Sequence, residues 1–240
     1  DLHIEVVKKG GDRDESARET IIRYALGCAD QLTRRGVKAI VVACNTVSAV
    51  ALDMLRIELD LPVLGVIVPG ARAAVSAARG KPIGVLGTAG TIASGAYPRA
   101  ISAQSTRAEV VGQPAPLLVP LVEEGWLEGE VPRLAVRRYL EPVLARGART
   151  VVLGCTHFPL LYDTILHEAE AMAGEPVRVV DSAAETAKDV AEFLKERGLD
   201  TTREQDGTLQ LFVTDLPKSF AEVAERFLGH HVSEVVAIDL

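Results

Sequence analysis

The sequence predicts an α/β protein built from two similar Rossmann-like domains with mainly parallel sheets. Short Val- and Ile-rich runs alternate with amphipathic stretches along most of the 240 residues. These runs are continuous rather than alternating in hydrophobicity, which is typical of parallel strands buried on both faces. Two segments, residues 38–46 and 149–157, also resemble each other, since each runs from a basic residue through an apolar strand to a cysteine and polar groups.

The apolar runs predict nine strands, at residues 4–7, 39–43, 63–67, 83–86, 109–111, 150–153, 177–180, 209–213 and 234–238. The amphipathic stretches predict helices between them, at residues 18–35, 47–58, 71–79, 134–145, 159–173, 183–197 and 218–228. The polar segment 104–107 and the Pro-rich segment 113–120 are predicted to be loops. This alternation favours an α/β fold with right-handed crossovers.

The internal resemblance predicts the domain organisation, because the strands that follow the two similar segments also resemble each other. We expect the first domain to comprise residues 1–67 and 181–240 and to carry Cys44. The second domain is predicted to comprise residues 68–180 and to carry Cys155.

Composition and charge exclude several classes of protein. A net charge of −7 argues against a nucleic-acid-binding surface, which needs clustered Lys and Arg. No apolar run reaches the ~20 residues that span a bilayer, and no basic-then-apolar leader is present. Three cysteines favour free thiols in a reducing compartment, so a cytoplasmic location is expected. The cysteines lack zinc-binding spacing and the five histidines are scattered, so no metal is predicted.

Cys44 and Cys155 are the candidate catalytic residues. Each directly follows a predicted parallel strand, and ligands of open α/β sheets bind at the carboxyl ends of the strands. A helix is predicted to start after each cysteine, and it is expected to lower the thiol pKa from about 8.5 toward neutrality. Cys28, by contrast, lies inside a predicted helix and is interpreted as a packing residue.

A pseudo-twofold relation between the two domains would put one thiol on each side of a shared cleft. A substrate carbon in that cleft would have a proton acceptor on one face and a proton donor on the other. This arrangement inverts a stereocentre, because one thiolate removes a proton and the opposite thiol returns one.

Polar residues around the cysteines are the candidate binding groups. Asn45, Thr46 and Thr156 are suited to holding a small carboxylate, and His157 could orient or acidify Cys155. The loop after the strand at 83–86 could bind an anion through its backbone, and it carries Thr88 and Thr91. Glu123 could add a carboxylate, although two adjacent acidic residues at a helix end are more often solvated.

At these residues the sequence resembles the aspartate/glutamate racemase superfamily, and within it the enzymes that act on glutamate. The motifs that carry the resemblance are Val-Val-Ala-Cys-Asn-Thr-Val-Ser-Ala at 41–49 and Leu-Gly-Cys-Thr-His-Phe-Pro-Leu-Leu at 153–161. The resemblance implies cofactor-independent conversion of L-glutamate to D-glutamate for peptidoglycan, by two domains with the site between them, paired into homodimers.

The resemblance also implies roles for the candidate residues. Cys44 would deprotonate the D-enantiomer and Cys155 the L-enantiomer, with His157 assisting Cys155. Substrate would be bound by Asn45, Thr46 and Thr156, with Glu123 as an accessory group.

The sequence departs from the family pattern near its beginning. Such enzymes usually open with a strand that carries Asp-Ser-Gly, and a later loop usually carries Pro-Tyr-Gly. Residues 7–18 fit neither motif, so we expect these two segments to be missing from the sequence.

Three other functions stay open at this point. The chain could be another enzyme of the same superfamily, such as an aspartate or hydantoin racemase, or a binding or regulatory homologue without complete catalytic machinery. It could also be a cysteine hydrolase that uses one thiol with His157. Adjacency in sequence is a poor arrangement for such a pair, and the second cysteine would then have no role.

Overall fold

The computed structural model describes residues 2–5, 15–201, 207–215, 217–232 and 234–240. Within these ranges the strands are β1 (Leu2–Glu5), β2 (Ile40–Val42), β3 (Val63–Gly65), β4 (Ile83–Gly87), β5 (Val110–Pro114), β6 (Thr150–Gly154), β7 (Arg178–Asp181), β8 (Leu209–Val213) and β9 (Val236–Ala237). The α-helices are α1 (Glu15–Arg34), α2 (Asn45–Val50), α3 (Leu52–Glu58), α4 (Ile67–Ala78), α5 (Ala89–Ala93), α6 (Ala96–Gln104), α7 (Leu118–Glu123), α8 (Glu130–Ala145), α9 (Tyr162–Ala173), α10 (Ser182–Glu196) and α11 (Pro217–Leu228). One 3₁₀-helix spans Phe158–Leu161.

The chain divides into two compact units. Unit 1 comprises Asp1–Val41, Val50–Leu64 and Ala191–Leu240, and unit 2 comprises Val42–Ala49 and Gly65–Val190. The short segment Val42–Ala49, which carries Cys44, therefore belongs to the same unit as Cys155. The domain bounds expected from the sequence, 1–67 with 181–240 and 68–180, group that segment differently and stay a prediction.

Unit 1 contains a parallel sheet in which β8 lies between β1 and β9. Strand β2 pairs with β3 in a second, two-stranded sheet. Helix α1 packs near α3, and Cys28 on α1 is buried, which confirms its interpretation as a packing residue.

Unit 2 is organised around a four-stranded parallel sheet in the order β5-β4-β6-β7. All residues of the two central strands, β4 and β6, are buried. Their continuous apolar sequences follow from this burial on both faces. The predicted α/β fold with mainly parallel sheets is confirmed.

The core of unit 2 lies on the two faces of this sheet, as the alternation of side chains along a strand requires. On one face, Leu86 and Leu153 pack with residues of α7, α8 and α9. On the other face, Val85 and Val152 pack with residues of α4 and α6. The two layers of helices hold the central strands in place, and with them the loops that follow the strands.

One buried charge ties two of these helices together. Glu168 on α9 is 1% exposed, and its carboxylate accepts hydrogen bonds from Arg133 at 2.7 Å and Arg137 at 2.8 Å, both on α8. Hydrogen bonding by Arg133 is the main cause that lowers the pKa of Glu168, so the carboxylate is charged.

The helices differ from the sequence prediction in two ways. The helix expected at 47–58 is divided in two at Ala51, and the helices α5, α6 and α7 were not predicted. Helices α5 and α6 were not predicted because they are short and are separated by Gly95, a residue typical of loops, which has a left-handed φ of 66°. The loop expected at 113–120 is wrong at both ends, because β5 extends to Pro114 and α7 begins at Leu118.

The described part of the chain contains no helix that is both long and apolar enough to cross a membrane.

Gly84 in β4 lies so close to α8 that a side chain added at this position would test the packing of the sheet against the helix. A Cβ at position 84 would lie 2.2 Å from Cγ1 of Val143, a fully buried residue of α8. Valine has few rotamers and cannot easily turn away, so we expect Gly84→Ala to lower the free energy of unfolding by about 1–3 kcal/mol. Urea denaturation measures this change.

Val143→Ala is the matched background for this test, because it removes the atom that a new Cβ would meet. Gly84→Ala should cost less in that background than in the wild-type chain. Equal costs in both backgrounds would contradict the proposed overlap.

Candidate active site

The two candidate cysteines follow two strands and begin two turns. Cys44 lies between β2 and α2, and Cys155 directly follows β6. Both belong to unit 2. Tyr97 links their two segments, since its hydroxyl donates to Asn45 Oδ1 at 2.7 Å and its ring lies against Gly154. The structure therefore brings the two predicted catalytic residues together.

The Cys44 thiol is partly exposed at the start of α2. The partial burial of the sulfur disfavours a thiolate and is the main cause that raises the pKa of the Cys44 thiol. Hydrogen bonds from the backbone N–H groups of Val47 and Thr46 and from the Thr46 hydroxyl act in the opposite direction and lower this pKa, but they are smaller effects.

The Cys155 thiol is more deeply placed, since the residue is only 6% exposed. Burial is the main cause that raises its pKa to about 12. The backbone N–H groups of His157 and Phe158 and the hydroxyl of Thr156 lower the pKa. Donors therefore surround the sulfur as the helix start predicted, although they do not outweigh its burial.

The expectation that the helix starts lower both thiol pKa values toward neutrality was wrong. Hydrogen-bond donors are present at Cys44 and Cys155, but desolvation of a thiolate is the larger effect at each. Each sulfur holds its proton more tightly than a free cysteine does. Each thiolate, once formed, is a correspondingly stronger base.

His157 connects Cys155 to a carboxylate. Its Nδ1 lies 3.7 Å from the Cys155 sulfur and its Nε2 lies 3.3 Å from Oε1 of Glu123, the last residue of α7. Both side chains are mostly buried, at 18% and 21% exposure. Adjacent Glu124 is exposed. Of the two carboxylates, the structure thus brings Glu123 to the predicted site.

Three threonine hydroxyls form a compact triangle beside Cys44. Thr46 Oγ1 lies 2.9 Å from Thr88 Oγ1 and 3.0 Å from Thr91 Oγ1, and the Thr88 hydroxyl donates to Thr91 Oγ1 at 3.1 Å. Thr88 also caps α5, because its oxygen accepts from the Thr91 N–H at 3.2 Å. This triangle joins the turn after β4 to the Cys44 segment, and the binding role expected of Thr88 and Thr91 stays a prediction.

Asn45 is one of the two most buried of the predicted binding residues, at 3% exposure, with Thr91 at 1%. Its Oδ1 accepts a hydrogen bond from the hydroxyl of Tyr97 at 2.7 Å. Thr156 lies at the other cysteine, where its Oγ1 is 3.4 Å from His157 Nδ1. Asn45 and Thr156 thus flank the two thiols from different segments of unit 2.

Gly154 lets the chain before Cys155 pass close to its neighbours. A Cβ at this position would lie 2.8 Å from the carbonyl oxygen of Leu86 and 3.1 Å from Cε2 of Tyr97. The backbone oxygen cannot move without disturbing the β4–β6 pairing, so only glycine fits here.

Two residues of this region were missed by the sequence analysis, Tyr97 and Ser182. The Ser182 hydroxyl donates to the carbonyl oxygen of Leu153 at 2.9 Å, and Ser182 is 3% exposed. Tyr97 lies between the two cysteine segments but is distant from both in sequence. The only available signal was the scarcity of tyrosine, since the chain has just 4.

The chemistry of this arrangement is that of proton transfer at carbon. Two thiols can act as base and acid, and an imidazole with a carboxylate partner can exchange a proton with one of them. Hydroxyl and amide groups nearby are suited to bind carboxylates. Among the described residues, no group of three or more His, Cys, Asp and Glu side chains could hold a metal ion.

Comparisons with known proteins agree with this chemistry. A model of the Asp/Glu/Hydantoin racemase family matches residues 8–190. The chain is 46% identical to a glutamate racemase of Geobacter metallireducens over 222 residues, which are 92% of this chain and 81% of the relative. It is 44% identical to a glutamate racemase of Neisseria meningitidis over 225 residues, covering 93% and 82% of the two chains.

Solved structures show the same similarity. The RacE1 isoform of glutamate racemase from Bacillus anthracis matches with a TM-score of 0.86 at 34% identity, over 94% of this chain and 83% of the other. The glutamate racemase of Francisella tularensis in complex with D-glutamate matches with a TM-score of 0.84 at 30% identity, over 94% and 82%.

The raised pKa of Cys155 predicts a pH dependence of stability. A group whose folded pKa is raised stabilises the fold below its unfolded pKa, and this contribution is lost as the pH rises through the folded value. For Cys155 the window runs from about 8.5 in the unfolded chain to about 12 in the folded one. The free energy of unfolding should fall more steeply with pH in the wild type than in Cys155→Ser, by up to about 1.4 kcal/mol per pH unit.

Chemical denaturation at a series of pH values measures both slopes. Parallel curves for the two proteins between these limits would contradict the raised pKa.

Proposed function

The chain belongs to the Asp/Glu/Hydantoin racemase family, and from this membership we propose that it converts L-glutamate to D-glutamate through Cys44 and Cys155, without a cofactor. Membership confirms the predicted class of enzyme, an amino-acid racemase. The observation that carries the two-cysteine mechanism is that both cysteine segments belong to unit 2 and are joined there by Tyr97, which bonds to Asn45 and packs against Gly154.

The proposed reaction moves one proton, in net terms, from the Cys44 thiol to the Cys155 thiolate by way of the substrate. When L-glutamate is bound and ready to react, Cys155 is a thiolate and Cys44 a thiol. Cys155 takes the α proton of L-glutamate, and Cys44 gives a proton to the opposite face of the resulting carbanion. The product is D-glutamate, Cys155 is now the thiol and Cys44 the thiolate, and the reverse reaction restores the first state.

The raised pKa values of the thiols support this chemistry. An α proton of an amino acid is only weakly acidic, and a thiolate with a raised pKa is a stronger base toward it. The α-ammonium group of the substrate carries positive charge, which favours a nearby thiolate. Substrate binding would therefore help to form the base that its own α carbon requires.

His157 is proposed to exchange a proton with Cys155. The imidazole contacts the sulfur at 3.7 Å on one side and Glu123 at 3.3 Å on the other. Glu123 holds the ring in one orientation and stabilises it when it is protonated. The imidazole could thus take the thiol proton before each turnover in the L-to-D direction.

The hydroxyl and amide groups are proposed to hold the two substrate carboxylates. Thr46, Thr88 and Thr91 supply hydroxyls on the Cys44 side, and Thr156 supplies one on the Cys155 side. Asn45 supplies an amide that is buried and oriented. Neutral donors of this kind bind a carboxylate without adding a positive charge that would compete with the substrate ammonium group.

Three further expectations from the sequence stay predictions. They are the supply of D-glutamate for peptidoglycan, the pairing of the chain into a homodimer, and a cytoplasmic location. The position of the site in a cleft between the two predicted domains also stays a prediction.

The proposal is tested by incubating the purified protein with L-glutamate in D₂O and following circular dichroism and α-deuterium content. We expect loss of optical activity together with incorporation of deuterium. L-aspartate run in parallel distinguishes another activity of the family. A folded protein that neither racemises glutamate nor exchanges its α proton would overturn the proposal.

Single-cysteine variants in the same assay test the role of each thiol. Cys44→Ala and Cys155→Ala should each lower racemisation by at least about 100-fold, since each loses an acid or a base. We expect Cys44→Ala still to exchange the α proton of L-glutamate, and Cys155→Ala that of D-glutamate, because one thiol remains on the correct face. Cys28→Ala is the matched control and should retain activity. Racemisation by either site variant near the wild-type rate would exclude the two-cysteine mechanism.

Glu123→Gln tests the role of the carboxylate beside His157. It should lower kcat/KM about 10-fold, because a hydrogen bond to a charged group is lost. The decrease in kcat/KM must be equal for L-glutamate and D-glutamate, because the equilibrium constant between the enantiomers is one by symmetry. Glu124→Gln alters the exposed neighbour and serves as the control. A Glu123→Gln enzyme as active as the control would show that the carboxylate has no part in catalysis.

A further inference from the structure

We propose that Tyr97 is a positioning residue of this site, which holds the Asn45 amide in one orientation between the two cysteine segments so that it can bind a carboxylate of the substrate. The assignment deepens the proposed function and rests on it. Tyr97 acts through Asn45.

The first observation is the hydrogen bond between the two side chains. Tyr97 lies near the start of α6 and is 1% exposed, and its hydroxyl donates to Asn45 Oδ1 at 2.7 Å. Asn45 is itself 3% exposed. A buried bond of this length fixes both partners, because a different orientation would leave buried polar atoms without a partner.

The direction of this bond decides what Asn45 offers to a ligand. An amide group is planar, so an oxygen held by Tyr97 leaves the nitrogen on the opposite side with two N–H donors. Donors suit the carboxylate of an amino acid, whereas the amide oxygen would repel it. Tyr97 would thus determine that Asn45, adjacent to Cys44, presents donors rather than an acceptor.

The second observation is the contact of Tyr97 with the other cysteine segment. A Cβ added at Gly154, the residue before Cys155, would lie 3.1 Å from Cε2 of the Tyr97 ring. Burial is the main cause that raises the pKa of the Tyr97 hydroxyl, and the charge of Cys155 contributes. The hydroxyl therefore stays protonated and remains a donor to Asn45.

The surroundings of the hydroxyl keep it in place. A Cβ at Gly70 would lie 3.4 Å from the Tyr97 oxygen and 3.0 Å from Cβ of Ser182. The Ser182 side chain is held beside this position, because its hydroxyl donates to the carbonyl oxygen of Leu153 at 2.9 Å. With Gly70 of α4 and Ser182 at the start of α10 packed near its hydroxyl, Tyr97 is 1% exposed, and such close packing suits a positioning role.

Tyr97→Phe tests the inference, because it removes the hydroxyl and keeps the ring that packs against Gly154. We expect KM for glutamate to rise about 10-fold in both directions, with a smaller change in kcat, since the lost orientation weakens substrate binding. Tyr139→Phe is the matched control. Its hydroxyl likewise forms a hydrogen bond, as the acceptor from the Leu117 N–H at 3.3 Å, but Tyr139 lies on α8 outside the site.

A double-mutant cycle separates positioning from general loss of structure. If Tyr97 acts through Asn45, Tyr97→Phe should change KM by less than about 2-fold in an Asn45→Ala background. Thermal unfolding of each variant shows that it is folded. Additive effects on KM in an active enzyme would overturn the role of Tyr97 and leave the proposed function standing. Failure of the wild-type protein to racemise glutamate would overturn both.

Discussion

The arrangement of the site depends on the parallel pairing of β4 with β6 at the centre of unit 2. The register places Leu86 opposite Leu153 and Gly87 opposite Gly154, so both strands end at the same edge of the sheet. The turns that follow carry Thr88 and Cys155, which therefore start from neighbouring positions. The absence of a side chain at Gly154 allows this pairing to coexist with the Tyr97 ring, since a Cβ there would overlap both the strand and the ring.

The second constraint on the site is the balance between burial and hydrogen bonding at the thiols. Backbone N–H groups and threonine hydroxyls favour the thiolate at both cysteines, and burial disfavours it more strongly. The site therefore resists ionisation while providing the donors that a thiolate needs. This balance suits a proton transfer at carbon, in which a strong base forms only when a charged substrate is present, better than it suits a permanently reactive thiolate.

Much of the site could be predicted because its residues are contiguous with strand ends. Cys44, Asn45 and Thr46 follow one apolar strand, and Cys155 with His157 follows another, so local sequence was enough to select them. Glu123 could not be separated from Glu124 in this way, since only the packing of α7 decides which of the two faces His157. Tyr97 was missed because its partners are distant in sequence. Asn45 lies 52 residues before it, and Gly154 lies still further away on the other side.

The sequence by itself determined the α/β fold, the strands of the central sheet and the two cysteine motifs. It could do so because hydrophobic runs and strand-end polar residues reflect local geometry, which neighbouring residues set together. Only the tertiary structure decided the direction of the thiol pKa shifts, the contact of His157 with Glu123 and the bond from Tyr97 to Asn45. Burial and side-chain contacts are sums over residues distant in the chain, so no local pattern contains them.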